Sequence, residues 1–214
     1  MKSLLLFFFL CSLGLAEEKA ESTTAEESAP IEAIANLTDP KKLATLKGET
    51  ASNPRFQKCL YWLAVGGRMM NRDDYWEGMS EVMAEASKLN KTFGTPYASA
   101  IRDALLVSYM RAENYGIFTS AGLEELKQGK SATITESEYA GQEATADHYI
   151  PRSVCPELDN QIFNLRLLPS KLISSKGDMV DEKQVAGAES FHKNGLLSDK
   201  GLEAVRKAYE KEPK

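Results

Sequence analysis

Cysteine, histidine and tryptophan are scarce in this 214-residue chain, with three, two and two copies. Three Cys are too few for a disulfide framework. With no CxxC and only two His, a Cys/His zinc site is also set aside. Fourteen Gly and eight Pro exclude collagen-like and low-complexity classes. Long hydrophobic runs are missing except for Leu4 to Leu10, which is too short to anchor in a bilayer. Positive charge is not in excess either: 26 Lys and Arg face 31 Asp and Glu, a formal net charge of −5. That balance argues against a surface coated in basic residues. What is present, 43% hydrophobic and 27% charged residues, describes a soluble globular protein of one or two domains.

Residues 1–16, MKSLLLFFFLCSLGLA, join a basic start, a short apolar core and the small residues Gly14 and Ala16. This is the pattern of a secretory signal peptide cleaved after Ala16. The expected location is exported, periplasmic or secreted, with no stable membrane anchor. Residues 17–32 hold six Glu, one Lys and no aromatic, and are expected to form a disordered acidic linker. The negative balance therefore sits mostly in this tail, and the body from 33 to 214 is close to neutral. Cys59 and Cys155 remain. Export permits a disulfide between them, and two buried small apolar residues are the alternative.

A helical region is expected over 33–130. Thr38-Asp39-Pro40, Asn53-Pro54, Thr95-Pro96 and Thr119-Ser120 are helix starts, and Gly66-Gly67 and Gly129 are expected stops. Phe56, Cys59, Leu60 and Leu63 recur at helical spacing, as do Tyr75, Met79, Val82, Met83 and Ala86. These stripes read as core, and the region carries no recognisable chemistry. At residue 131 the period changes. SATIT and EATADHYIPRS read as extended segments, followed by turn residues mixed with a helical apolar set through Asp178. Residues 181–214 return to a helical pair, in which His192 reads as a surface group near a helix C-terminus.

Chemistry concentrates after residue 145. Asp147 and His148 are adjacent on a strand, so their side chains diverge unless the strand bends or ends there. Glu157, Asp159 and Asn160 read as turn chemistry after Pro156, and Lys176-Gly177-Asp178 as a helix stop. The ordered series DHYIPRS, NLRLLP and SSKGD resembles the HNH nuclease family, whose site is a β-hairpin and helix gripping one divalent metal. The resemblance covers about residues 131–180. It extends more loosely to exported bacterial members with a helical N-terminal region.

The resemblance implies an α+β fold, mainly helical, with a small ββα-metal unit. It implies Asp147 as metal ligand, His148 as general base and Asn164 as the residue that braces the hairpin loop and helps orient that His. The metal would be Mg²⁺ or another divalent ion at a single site, and a neutral imidazole suits proton abstraction. Arg152, Arg166, Lys171 and Lys176 would meet backbone phosphates of DNA, with RNA as an alternative substrate. No protein partner is identifiable. The family's third signature residue, His or Asn, falls at Ile173, which cannot ligate a metal. Three readings therefore stand together. The first is an exported nuclease hydrolysing DNA phosphodiesters. The second is a catalytically degenerate HNH-fold module binding nucleic acid or an envelope component. The third is a helical interaction protein with a structural Asp-His pair.

Overall fold

A computed structural model describes residues 28–46, 52–71 and 73–211. The expected signal peptide and residues 17–27 of the expected linker lie outside the described residues, as does the Lys176 side chain. The last five linker positions are a correction: residues 28–38 form a helix, α1. Pro30, Ile34 and Ala35 are buried there, so this short stretch does what the Glu-rich run before it cannot, which is to hide apolar surface.

The chain continues as α2 (Pro40–Leu43), α3 (Ser52–Met70), α4 (Tyr75–Leu89), α5 (Pro96–Asn114) and α6 (Ser120–Gln128). Asp39, Asp74, Thr95 and Thr119 each accept a first-turn N–H, closing the donors a helix start leaves open. Strands β1 (Ala132–Thr133), β2 (Glu143–His148) and β3 (Leu165–Pro169) follow, then α7 (Ser170–Lys176), α8 (Glu182–Lys193) and α9 (Asp199–Glu210). The fold is α+β: mainly helical, with one antiparallel sheet of order β1-β2-β3 among the described residues. One continuous apolar core joins helices and sheet, from Ile34 through Phe56, Leu63, Tyr109 and Leu167 to Val205. No helix among the described residues is long and apolar enough to cross a membrane.

Three local outcomes differ from the sequence reading. SATIT yields only a two-residue strand, β1. Leu165–Pro169, expected within a helical set, is a strand, because Leu165, Leu167 and Pro169 are buried while Arg166 and Leu168 are partly exposed, a period of two. Gly66 and Gly67 do not end α3, which runs on to Met70. They are there for packing. A Cβ on Gly67 would lie 2.5 Å from Met79 Cγ, and one on Gly78 would lie 2.1 Å from the Gly67 carbonyl oxygen. Helices α3 and α4 thus cross backbone against backbone.

Cys59 and Cys155 are buried and free, which settles the alternatives in favour of two thiols. Burial pushes the Cys59 thiol up to about 12 and that of Cys155 up to about 11, so neither is a nucleophile at neutral pH.

Because β1 is so short, the edge of β2 beyond Ala144 would lose its hydrogen-bond partners. Helix α3 replaces them. Asn53 Oδ1 accepts from the Ala146 N–H at 2.9 Å, and the buried Gln57 Nε2 donates to the Ala144 carbonyl at 3.0 Å and to Asn53 Oδ1 at 3.0 Å. The strand that carries Asp147 and His148 is held on one side by β3 and on the other by helix side chains.

The α3–α4 crossing is testable. Gly78→Ala, which would favour the isolated helix by about 1 kcal/mol, is expected to destabilise the protein by about 2 kcal/mol in urea unfolding, because backbone must move. A neutral or stabilising effect would show that the crossing is not close.

Candidate functional site

Strand β2 ends at His148, and the chain then turns. This ending resolves the divergence expected of neighbouring strand residues. Asp147 and His148 both line one cleft of about 350 Å³, together with Pro151, Arg152, Ser153, Gly177 and Asp178. Asp147 stands opposite Arg166 in the β2–β3 register, and His148 opposite Leu165.

The loop between the strands is organised by Asn164, which is 0% exposed. Its Oδ1 accepts from the Ile150 N–H at 2.9 Å, and its Nδ2 donates to the Ile150 carbonyl at 3.0 Å and to the Leu158 carbonyl at 3.3 Å. Its own carbonyl accepts from the Tyr149 N–H. One amide side chain thus satisfies both backbone groups of Ile150 and ties in the 3₁₀ turn Pro156–Leu158. Two further bonds fix the far end of the loop: Ser52 Oγ donates to the Asp159 carbonyl at 3.2 Å, and Asn160 Nδ2 to the Leu46 carbonyl at 3.2 Å.

The clamp brings Asp159 to His148. His148 Nε2 lies 2.8 Å from the Asp159 carbonyl oxygen. A carbonyl only accepts, so Nε2 carries the proton and the neutral ring keeps its lone pair at Nδ1. Asp159 Oδ1 sits 3.2 Å from the same nitrogen and, although buried, makes no hydrogen bond. The sequence assigns this residue only to turn chemistry after Pro156. The signal was limited to an Asp eleven positions after the His, which matches any turn.

The remaining site residues separate. Arg152 lines the cleft with Asp147 and His148. Arg166 instead lines a second, larger cavity, where its guanidinium stacks 3.4 Å above the Tyr149 ring. Lys171 is exposed on α7 and does not line the cleft. Ile173 is half-buried on α7. Of the oxygen donors near it, Asp178 lines the cleft, whereas Ser174 Oγ donates to the Ser170 carbonyl within α7 at 3.1 Å. Among the described residues no three His, Cys, Asp or Glu side chains gather as a metal cage. His192 is half-buried and pairs with Asp199 at 2.6 Å, joining the end of α8 to the start of α9.

Asn164→Ala should cost on the order of 3 kcal/mol in urea unfolding, because three buried backbone groups lose their partner. Amide exchange at Ile150 should accelerate in step, and unchanged stability would refute the clamp. In ¹⁵N NMR spectra the neutral His148 ring is expected as the Nε2–H tautomer, and an Nδ1–H tautomer would overturn the contact with Asp159. No protein-family model, curated protein or solved structure matches this chain.

Proposed function

We propose that the protein is an exported HNH-type nuclease that hydrolyses phosphodiester bonds of DNA. The observation that carries this reading is the Asn164-clamped strand end. There an acid and an oriented imidazole share one cleft with an arginine. The β2–loop–β3–α7 order, with Asp147-His148 closing the first strand and Asn164 preceding the second, supports the ββα comparison.

His148 acts as general base. With Nε2–H fixed on the Asp159 carbonyl, Nδ1 accepts the proton of the attacking water, and the charge that forms on the ring faces the Asp159 carboxylate. Arg152, in the same cleft, meets the phosphate oxygens, whose negative charge a guanidinium binds in a fork. The metal the family implies fits this wall in a restricted way. Mg²⁺ is commonly held by one or two carboxylates plus water and substrate phosphate, and Asp147 and Asp178 line one cleft. Bound by these two, the ion would supply positive charge to the leaving oxygen. Asp178 then stands where the helix position Ile173 offers nothing.

A second reading keeps the fold without the chemistry: a nucleic-acid or envelope binding module. Ile173 favours it, since the helix contributes no ligand there. Plasmid nicking separates the two. Supercoiled DNA with Mg²⁺ or Mn²⁺ should be nicked by the wild-type protein, with a loss of about 10²- to 10⁴-fold in His148→Ala and a clear loss in Asp178→Ala. Equal nicking by His148→Ala would refute the site. An inert wild type restored by Ile173→Asn would establish the degenerate module.

A further inference from the structure

The second cavity, about 650 Å³, is a groove between α5 and α8. One wall is a single face of α5 running from Pro96 to Arg111, about 22 Å at 1.5 Å per residue. Its residues are small for much of that length, with Ser99, Ala100 and Ala104, and Gly187 and Ser190 on α8 match them. The base is aromatic: Phe163 makes edge contacts with Tyr97 of α5 at 6.0 Å and Phe191 of α8 at 5.0 Å.

Two guanidiniums stand at one end. Arg111 reaches from α5 to the Leu167 carbonyl at 3.4 Å, beside Arg166 in the chain. Arg166 lies on Tyr149, and Tyr149 is locked in turn. Its hydroxyl donates to the Lys183 carbonyl, and a Cβ on Gly187 would come within 2.4 Å of its ring. The stacked arginine is therefore preorganised rather than free to swing. Neither Arg111 nor Arg166 forms an ion pair among the described residues, although both are half-buried. Two acids lie nearby: Asp181 caps α8 by accepting the Gln184 N–H at 2.8 Å, and Asp103, which also lines the groove, pairs with Arg102 at 2.9 Å. Burial, helped by the like charge of Arg111, holds the Arg166 guanidinium below its usual pKa, with the Asp181 carboxylate opposing them. Two neighbouring half-buried guanidiniums with no direct ion pair among the described residues present positive charge to an anion that enters the groove.

We infer that the α5–α8 groove binds a short single-stranded stretch of nucleic acid, with Arg111 and Arg166 as its phosphate anchors. The length suits about four nucleotides. Small side chains on both walls let a sugar-phosphate chain lie close, and the two guanidiniums match a phosphate in charge and fork geometry. The choice of nucleic acid over another phosphate ester rests on the nuclease reading, because Tyr149 in the groove directly follows His148 in the cleft.

The test uses full-length protein carrying His148→Ala, so that a bound oligonucleotide stays intact. A fluorescein-labelled thymidine hexanucleotide, read by anisotropy at low salt, is expected to bind. Arg111→Gln and Arg166→Gln are each expected to weaken it about tenfold and to flatten its salt dependence. Ser190→Trp, on an exposed position of α8 and neutral in charge, should weaken it by filling the groove even where an arginine variant folds poorly. Thymidine 5′-monophosphate and inorganic phosphate should bind more weakly than the hexanucleotide. Equal affinity for phosphate alone, no hexanucleotide binding, or binding that ignores all three substitutions would overturn the inference. Nicking by the wild type with an indifferent groove would leave the nuclease standing. Groove binding in a protein that never nicks would leave the groove standing.

Discussion

The bidentate grip of the buried Asn164 amide on Ile150 is the interaction on which the site depends. The loop from Tyr149 to Asn164, between β2 and β3, has no ladder of its own and would leave backbone donors and acceptors unmatched in the interior. By accepting from and donating to the same residue, Asn164 substitutes for a strand partner and fixes the turn that follows His148. Its third bond, to Leu158, carries that order along the loop to Asp159. The imidazole orientation is therefore a consequence of an amide at the far end of the loop. An amide offers an oxygen acceptor and a nitrogen donor side by side on one planar group, and the close fit of the loop favours Asn over the longer Gln.

Support from the helical side is equally specific. The sheet is small, and its first strand stops too early to cover β2. Asn53 and Gln57 on α3 complete the missing pairing, so the first turns of a helix far upstream in the chain become part of the strand's hydrogen-bond ladder. Ser52 at the same helix start holds the Asp159 carbonyl. The helical region is not a separate body beside the hairpin, because one core and one hydrogen-bond network run through both. The turn after His148 also divides two cavities. The cleft takes His148 and Arg152, and the groove takes Tyr149 and Arg166, so neighbouring residues face different solvent volumes.

Much of the scaffold is legible in the amino-acid sequence alone. Asp39-Pro40, Thr95-Pro96 and Thr119 announce helix starts because short polar side chains and Pro satisfy or dispense with first-turn N–H groups. The stripes of Phe56, Leu60 and Leu63, and of Met79, Val82 and Met83, fall in the core as their spacing requires. The misreadings have physical causes. Gly66-Gly67 looks like a stop because glycine weakens a helix, yet here it admits a neighbouring helix, a fact held in the packing partner and not in the local sequence. Residues 165–169 are apolar enough for either period, and only pairing with β2 selects the strand. The five residues 28–32 look like tail because Glu dominates what precedes them, while Pro30 and Ile31 belong to a helix that finds its core across the fold.

By itself the sequence determined that the fold is helical with a small extended unit, and it set Asp147, His148 and Asn164 within one short stretch of that unit. Residue order carries periodicity, capping and motif spacing. Tertiary structure decided where each charge goes. It brought Asp159 to His148 from an unremarkable turn, placed Asp178 in the cleft, and turned Arg166 away onto Tyr149. Sequence could not decide these because each depends on where one side chain lies relative to another across a gap. Such distances are set by the closure of a loop around a buried amide, not by spacing along the chain.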